Sequence, residues 1–171
     1  MRLLSRLLGS ADPREALRPL WHRTVEISRE REWYAECGVA DTVAGRFDMI
    51  TAVLSLVLLR MERDEALAGR TALLTELFVE DMDGQLRESG VGDLVVGKHM
   101  GKLMSSLGGR LGAYRAALSE PGDVPLAEAL RRNVTLTEGA AAGALAARLR
   151  SLAGTLEATA ADDLLAGRIE R

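Results

Sequence analysis

Arg46-Phe-Asp-Met-Ile-Thr-Ala-Val-Leu-Ser-Leu-Val-Leu-Leu-Arg-Met-Glu-Arg63 decides the fold. Its large apolar residues, Phe47, Ile50, Val53, Leu54, Leu56, Val57 and Leu58, are spread around the whole circumference of a helix instead of forming one stripe. A helix apolar on every face belongs at the centre of a bundle, covered by others. The longest apolar run, Met49 to Leu59, is bounded by Asp48 and Arg60 and falls short of the roughly 20 residues that span a bilayer.

On the N-terminal side, Asp12 followed by Pro13 reads as a helix start, with a cap and a proline at the first position. That helix is expected to continue to Arg31 through Leu17, Leu20, Trp21 and Val25, with Trp33 and Tyr34 as packing anchors. The linker from Cys37 to Gly45 breaks the periodicity before the central helix begins.

On the C-terminal side, Thr71 is a candidate cap for a helix that puts Leu74, Leu77, Phe78, Met82 and Leu86 on one face. Glu76, Glu80, Asp83 and Arg87 lie on another, and Gly90 is a fitting stop. Asp93 is placed to cap the next helix, whose core stripe reads Val96, Met100, Leu103, Leu107, Leu111, Tyr114 and Leu118. Its other side is a strip of small residues, Gly97, Gly101, Ser105, Gly108, Gly112 and Ala116. Interior helical glycines cost about 0.5–1 kcal/mol each relative to alanine, so the strip is expected to be compensated by packing against the closing helices. The alternative is a strip left open for another protein. The closing region, 121–171, starts with a turn at Pro121 and Pro125 and places Ala141, Leu145, Leu149, Leu152 and Leu156 at helical spacing.

The expected fold is therefore all-α: one domain over 1–171, a helical bundle of about six to eight helices. Residues 1–10, with Leu3, Leu4, Leu7 and Leu8 beside Arg2 and Arg6, form either a helix packed on the bundle or a contact with a membrane surface.

Composition narrows the function. Net charge of −3 argues against a binder of nucleic acid driven by phosphate attraction. One cysteine, Cys37, allows neither an internal disulfide nor a thiolate-rich zinc site. Two histidines and 4% aromatics leave few ligands for a metal or haem, so no cofactor and no metal site are expected. Gly92 to His99 follows phosphate-loop spacing until its last position, where His99 replaces the hydroxyl that would hold magnesium, and no strand precedes it. Asp81-Met-Asp83-Gly84 begins like a calcium loop, yet its glycine comes two positions early and Gly92 stands where a bidentate glutamate is required. Neither His22 nor His99 belongs to a nucleophile arrangement, and no catalytic residue is identified.

From Trp33 to Tyr114 the chain resembles the ubiquinol–cytochrome c chaperone family, whose mitochondrial members assist assembly of the respiratory cytochrome bc complex. The residues that carry the resemblance are Trp33-Tyr34, Gly38-Val-Ala-Asp41-Thr42, Gly45-Arg46-Phe47-Asp48, Leu59-Arg60, Leu77-Phe78, Asp81-Met-Asp83, Leu86-Arg87-Glu88, Gly90-Val-Gly92-Asp93 and Val96-Gly97-Lys98. The family-like core is taken as 33–118. The resemblance implies a non-enzymatic chaperone that holds newly made cytochrome b, or an assembly intermediate, with a second assembly factor as a further partner. It raises Asp81, Asp83, Arg87, Lys98 and Lys102 to a charged rim that fixes the client's register beside an apolar groove. Arg46 and Asp48 belong either to that rim or to a buried pair pinning the 38–45 linker. Without the long targeting extension of mitochondrial members, the chain resembles a bacterial member, expected in the cytoplasm or peripheral on the inner membrane and as a monomer. Two alternatives stay open: a homo-oligomeric structural protein joined through the glycine strip, and a haem-handling protein using His22 or His99.

Overall fold

The computed structural model describes residues 12–88, 90 and 93–170, with the backbone alone for 93–96. The helix expected in residues 1–10 lies outside the described residues, as does the side chain of Asp93. Among the described residues nine α-helices are arranged in order: α1 (Arg18–Ser28), α2 (Arg31–Ala35), α3 (Val43–Glu62), α4 (Glu65–Ala68), α5 (Thr71–Glu88), α6 (Asp93–Ser119), α7 (Val124–Asn133), α8 (Gly143–Ala158) and α9 (Ala161–Leu165). Six of them have ten or more residues, and α2, α4 and α9 are short connectors. The fold is an all-α bundle. No helix among the described residues is long and apolar enough to cross a membrane.

Helix α3 is the axis. Every residue from Asp48 to Leu59 is buried, and α1, α5, α6 and α8 all pack on it. Its two interior hydroxyls are satisfied within the helix: Thr51 donates to the Phe47 and Asp48 carbonyls, and Ser55 donates to the Thr51 carbonyl. Burial of these polar groups therefore leaves no broken hydrogen bond. The helix starts where Thr42 accepts a hydrogen bond from the Gly45 amide, an N-cap. At the other end Arg60 donates to the carbonyls of Leu156 and Thr159 and pairs with Asp64, tying the end of α3 to the end of α8.

The first helix begins later than its Asp12-Pro13 signal predicts. Asp12 does accept from the Arg14 amide, but the chain then passes through a turn and a 3₁₀ segment, Glu15–Leu17, before α1 opens with Pro19 in its first turn. A second proline suited to a first turn competes with the earlier start, and the chain uses the later one. The helix also ends short of Arg31. Trp33 Nε1 donates to the Ile27 carbonyl at 2.6 Å, beside the Glu30 amide, and Tyr34 Oη to the Ser28 carbonyl at 2.9 Å, so the two aromatic anchors supply side-chain donors to the carbonyls at the C-terminus of α1. Thr71 proves to be the first residue of α5 instead of its cap, with its hydroxyl donating to the Ala68 carbonyl.

The 37–45 linker is held against the loop after α7. Val39 and Leu136 form an antiparallel bridge, the Ala40 amide donates to the Thr135 carbonyl, and the Thr137 amide donates to the Gly38 carbonyl. Two glycines are needed here. Gly38 has φ of 75°, and a Cβ on Gly45 would stand 1.9 Å from the Ala40 carbonyl oxygen.

The glycine strip of α6 departs from expectation. Gly97, Gly101, Ser105, Gly108, Gly112 and Ala116 are all exposed, and a Cβ built on any of those four glycines meets nothing within 4 Å among the described residues. Neither α7 nor α8 covers them. The opposite side of α6 packs inward instead through Leu107, Arg110, Tyr114 and Ala117. In α8 the expected Leu145, Leu149, Leu152 and Leu156 are buried, but Ala141, just before the helix, is exposed, and its neighbour Ala142 at the cap takes the core position.

Candidate functional site

Where the N-terminal end of α3 meets α5 and α6, the surface opens into an apolar groove of about 830 Å³. Val43, Phe47 and Ile50 line it from α3, Met82 and Leu86 from α5, and Leu103 from α6. Helical periodicity places these residues there: 43, 47 and 50 share one face of α3, as 82 and 86 share one face of α5. Val43 is 88% exposed, an apolar side chain presented to solvent at the mouth. Arg29 and Arg46 border the same groove and give it a basic edge.

Behind the groove wall lies a buried ionic cluster. The Arg110 guanidinium on α6 donates to Asp48 Oδ1 and to the Thr51 hydroxyl on α3, and it stacks 5.6 Å over the Phe47 ring. The other oxygen of Asp48 accepts from both the amide and the hydroxyl of Thr135. The cluster ties α3, α6 and the loop after α7 at one point, and thereby fixes Phe47, whose other side faces Phe78 at 6.4 Å between ring centres. Beside it Tyr114 is buried with no hydrogen-bond partner for its hydroxyl among the described residues, and burial raises its pKa.

Arg46 and Asp48 therefore separate. Asp48 is 7% exposed and does not sit on a rim, and its partners are Arg110 and Thr135 instead of Arg46. A buried pair of Arg46 with Asp48 is not formed either: Asp48 is paired with Arg110, and its bonds to Thr135 anchor the loop that holds the linker. Arg46 is exposed and donates to Asp41 at 2.7 Å across the linker, which holds the Asp41 carboxyl below its ordinary pKa.

The other expected rim residues are divided between faces. Asp81 lines a second cleft, about 600 Å³, between α1 and α5, together with His22, Glu26, Glu80 and Glu88. Asp83 pairs with Arg87 one turn along α5, at 2.7 Å. Lys98 and Lys102 are exposed on α6 and form no ion pair among the described residues. Asp81 and Asp83 are two positions apart, and a helix rotates that spacing by about 200°, so they cannot face one ligand together.

Three residues of the candidate site, Arg29, Arg31 and Arg110, escaped the reading of the sequence. Arg110 lies one turn from both Leu107 and Tyr114, so its place on the core stripe could have marked it as a buried charge. Arg29 and Arg31 lie around the break between α1 and α2 and meet Arg46 only through the fold. With Tyr34, Ala35 and Asp41 they form a basic cleft of about 470 Å³ adjoining the groove. Burial raises the pKa of the Tyr34 phenol there, while the positive charge of Arg46 opposes the shift.

Comparison with known proteins places this geometry in a family. The ubiquinol-cytochrome C chaperone family matches the chain over residues 35–171. The structure is similar to the crystal structure of the Cbp3 homolog from Brucella abortus, with 34% sequence identity and a TM-score of 0.78 over 91% of this chain and 87% of that one. None of the curated proteins matches the chain. The matched region takes in the linker, the groove, the buried Asp48–Arg110 cluster and the closing helices, and the chain belongs to the ubiquinol-cytochrome C chaperone family.

Proposed function

We propose that the protein is a non-enzymatic assembly chaperone of the ubiquinol–cytochrome c reductase that holds an apolar segment of newly made cytochrome b in the groove between α3, α5 and α6. The observation that carries this reading is the groove itself, with Val43 left 88% exposed at its mouth and arginines along one edge. A family of chaperones with an apolar groove on a rigid bundle has the physical means to shield a client until its partners arrive. At the margin Arg46 sets orientation more than affinity; Asp83, Arg87, Lys98 and Lys102 stand on neighbouring faces, and Asp81 faces the α1–α5 cleft.

The test is a pull-down of tagged protein from gently solubilised source cells, with cytochrome b looked for among the captured proteins. Val43→Asp is the key variant. It puts a carboxylate at the start of α3, where the helix dipole tolerates it, and at the groove mouth, where an apolar client does not. Enrichment of cytochrome b that is lost in Val43→Asp supports the reading; enrichment unchanged in that variant removes the groove from it. The Asp81→Lys/Asp83→Lys double variant, expected to fold normally, tests the rim in the same assay.

A second reading is self-association through α6, favoured by the open glycine face from Gly97 to Gly112. Sedimentation across a range of concentrations decides it, with Gly101→Leu expected to abolish any oligomer while leaving the helical content intact.

A further inference from the structure

We infer that the segment held in the groove is polar at one end and that this end carries carboxylates, which dock over Arg29, Arg31 and Arg46. The inference rests on the client-holding reading above and gives that client a chemistry and a direction.

The charge around the groove is unevenly placed. Arg29 and Arg46 border both the apolar groove and the basic cleft, where Arg31 joins them. Asp41 neutralises Arg46, but Arg29 and Arg31 are exposed and have no ion-pair partner among the described residues. Two uncompensated guanidinium groups thus stand at one end of an apolar trough, near the N-terminus of the 20-residue α3, whose dipole adds positive character there. Guanidinium groups favour bidentate contact with carboxylates, and they are less strongly hydrated than ammonium groups, so this pairing survives partial burial.

A protein segment fits this arrangement better than a lipid surface. The groove is concave, walled by three helices, whereas an interfacial contact presents a protruding apolar face. The neighbouring α1–α5 cleft, which shares Arg29 and Gln85 with the groove margins, carries Glu26, Glu80, Asp81 and Glu88. An anionic membrane that reached the arginines would also meet these carboxylates, while a single segment entering from the arginine side avoids them.

The experiment uses the full chain and fluorescently labelled peptides of one apolar sequence, tipped at one end with aspartates or with lysines, read by fluorescence anisotropy. The aspartate-tipped peptide is expected to bind at least ~10-fold more tightly at low salt, with the preference shrinking as salt rises. The Arg29→Glu/Arg31→Glu variant, its fold checked by circular dichroism, should reverse the preference. Equal binding of both peptides, each still weakened by Val43→Asp, would overturn the polarity and leave the groove reading standing. If neither peptide binds, both the polarity and the groove reading are overturned. Binding to vesicles containing phosphatidylglycerol that is lost in the arginine variant, with no peptide preference, would overturn the inference in favour of a lipid headgroup.

Discussion

The Arg110 guanidinium lies 2.5 Å from the Asp48 carboxylate across the interface of α6 and α3, and both residues are at least nine-tenths buried. Every side-chain hydrogen bond of this pair crosses between elements that meet nowhere in the sequence. Thr135 donates to Asp48 from the loop after α7, and the Phe47 ring that Arg110 covers is a wall of the groove. The cluster is the joint between the bundle's core and its candidate binding surface.

Removing one partner of this pair leaves a buried charge without compensation. Asp48→Ala or Arg110→Ala should destabilise the fold by about 3–5 kcal/mol. The Asp48→Asn/Arg110→Met double variant keeps an acceptor for Thr135 and buries no charge, so it should cost less than Asp48→Ala alone. Urea unfolding of the variants measures the difference, and a double variant as unstable as the sum of its parts would contradict an ionic origin.

The glycines divide into two kinds with opposite responses to alanine. At Gly45 the new Cβ would press on the backbone carbonyl of Ala40, so Gly45→Ala should destabilise by about 1–3 kcal/mol through forced backbone movement. At Gly108 a Cβ meets nothing within 4 Å among the described residues, and Gly108→Ala should stabilise by about 0.5–1 kcal/mol, the gain in helix propensity. Thermal unfolding of both variants, at a concentration where the chain is monomeric, reads the two signs.

Trp33 acts as a cap as well as a core residue. Trp33→Phe keeps an aromatic ring under the Arg148 guanidinium but removes one of the two hydrogen bonds to the buried Ile27 carbonyl, which keeps the Glu30 amide as a donor, and should cost about 0.5–1.5 kcal/mol. Tyr34→Phe removes the equivalent bond to Ser28 from a half-buried site that water can reach, and should cost less. Chemical denaturation of both variants tests that order.

Alkaline pH should weaken the fold through its tyrosines. Burial raises the pKa of Tyr114, so the folded chain holds a proton that the unfolded chain releases near pH 10. Stability is unaffected by this group below pH 10 and declines as pH rises above it, because the native state then binds more protons than the unfolded one. Tyr34 shifts in the same direction and adds to the decline. Tyrosinate absorbance should therefore appear together with loss of helical circular dichroism. In Tyr114→Phe, which also removes a buried hydroxyl with no partner among the described residues, the decline should be shallower.

The amino-acid sequence by itself determined that the chain is an α-bundle and which helix is its axis. Both come from local physics: apolar residues around all of 46–63 leave no face suited to water, and the 3.6-residue stripes in α5, α6 and α8 need a common core. The family was legible by a different route, as a resemblance carried by residues around the linker, along α5 and around the turn after it. Tertiary structure alone decided how the charges are used. Asp48 and Arg46 are two residues apart, yet one is sealed against Arg110 and the other faces solvent, because a two-residue step on a helix turns a side chain to the opposite side. It also decided that the glycine strip is open, since periodicity reveals that a face is smooth but not what stands opposite it. The basic cluster of Arg29, Arg31 and Arg46 exists only because the turn between α1 and α2 is packed beside the start of α3, a proximity that no local pattern encodes.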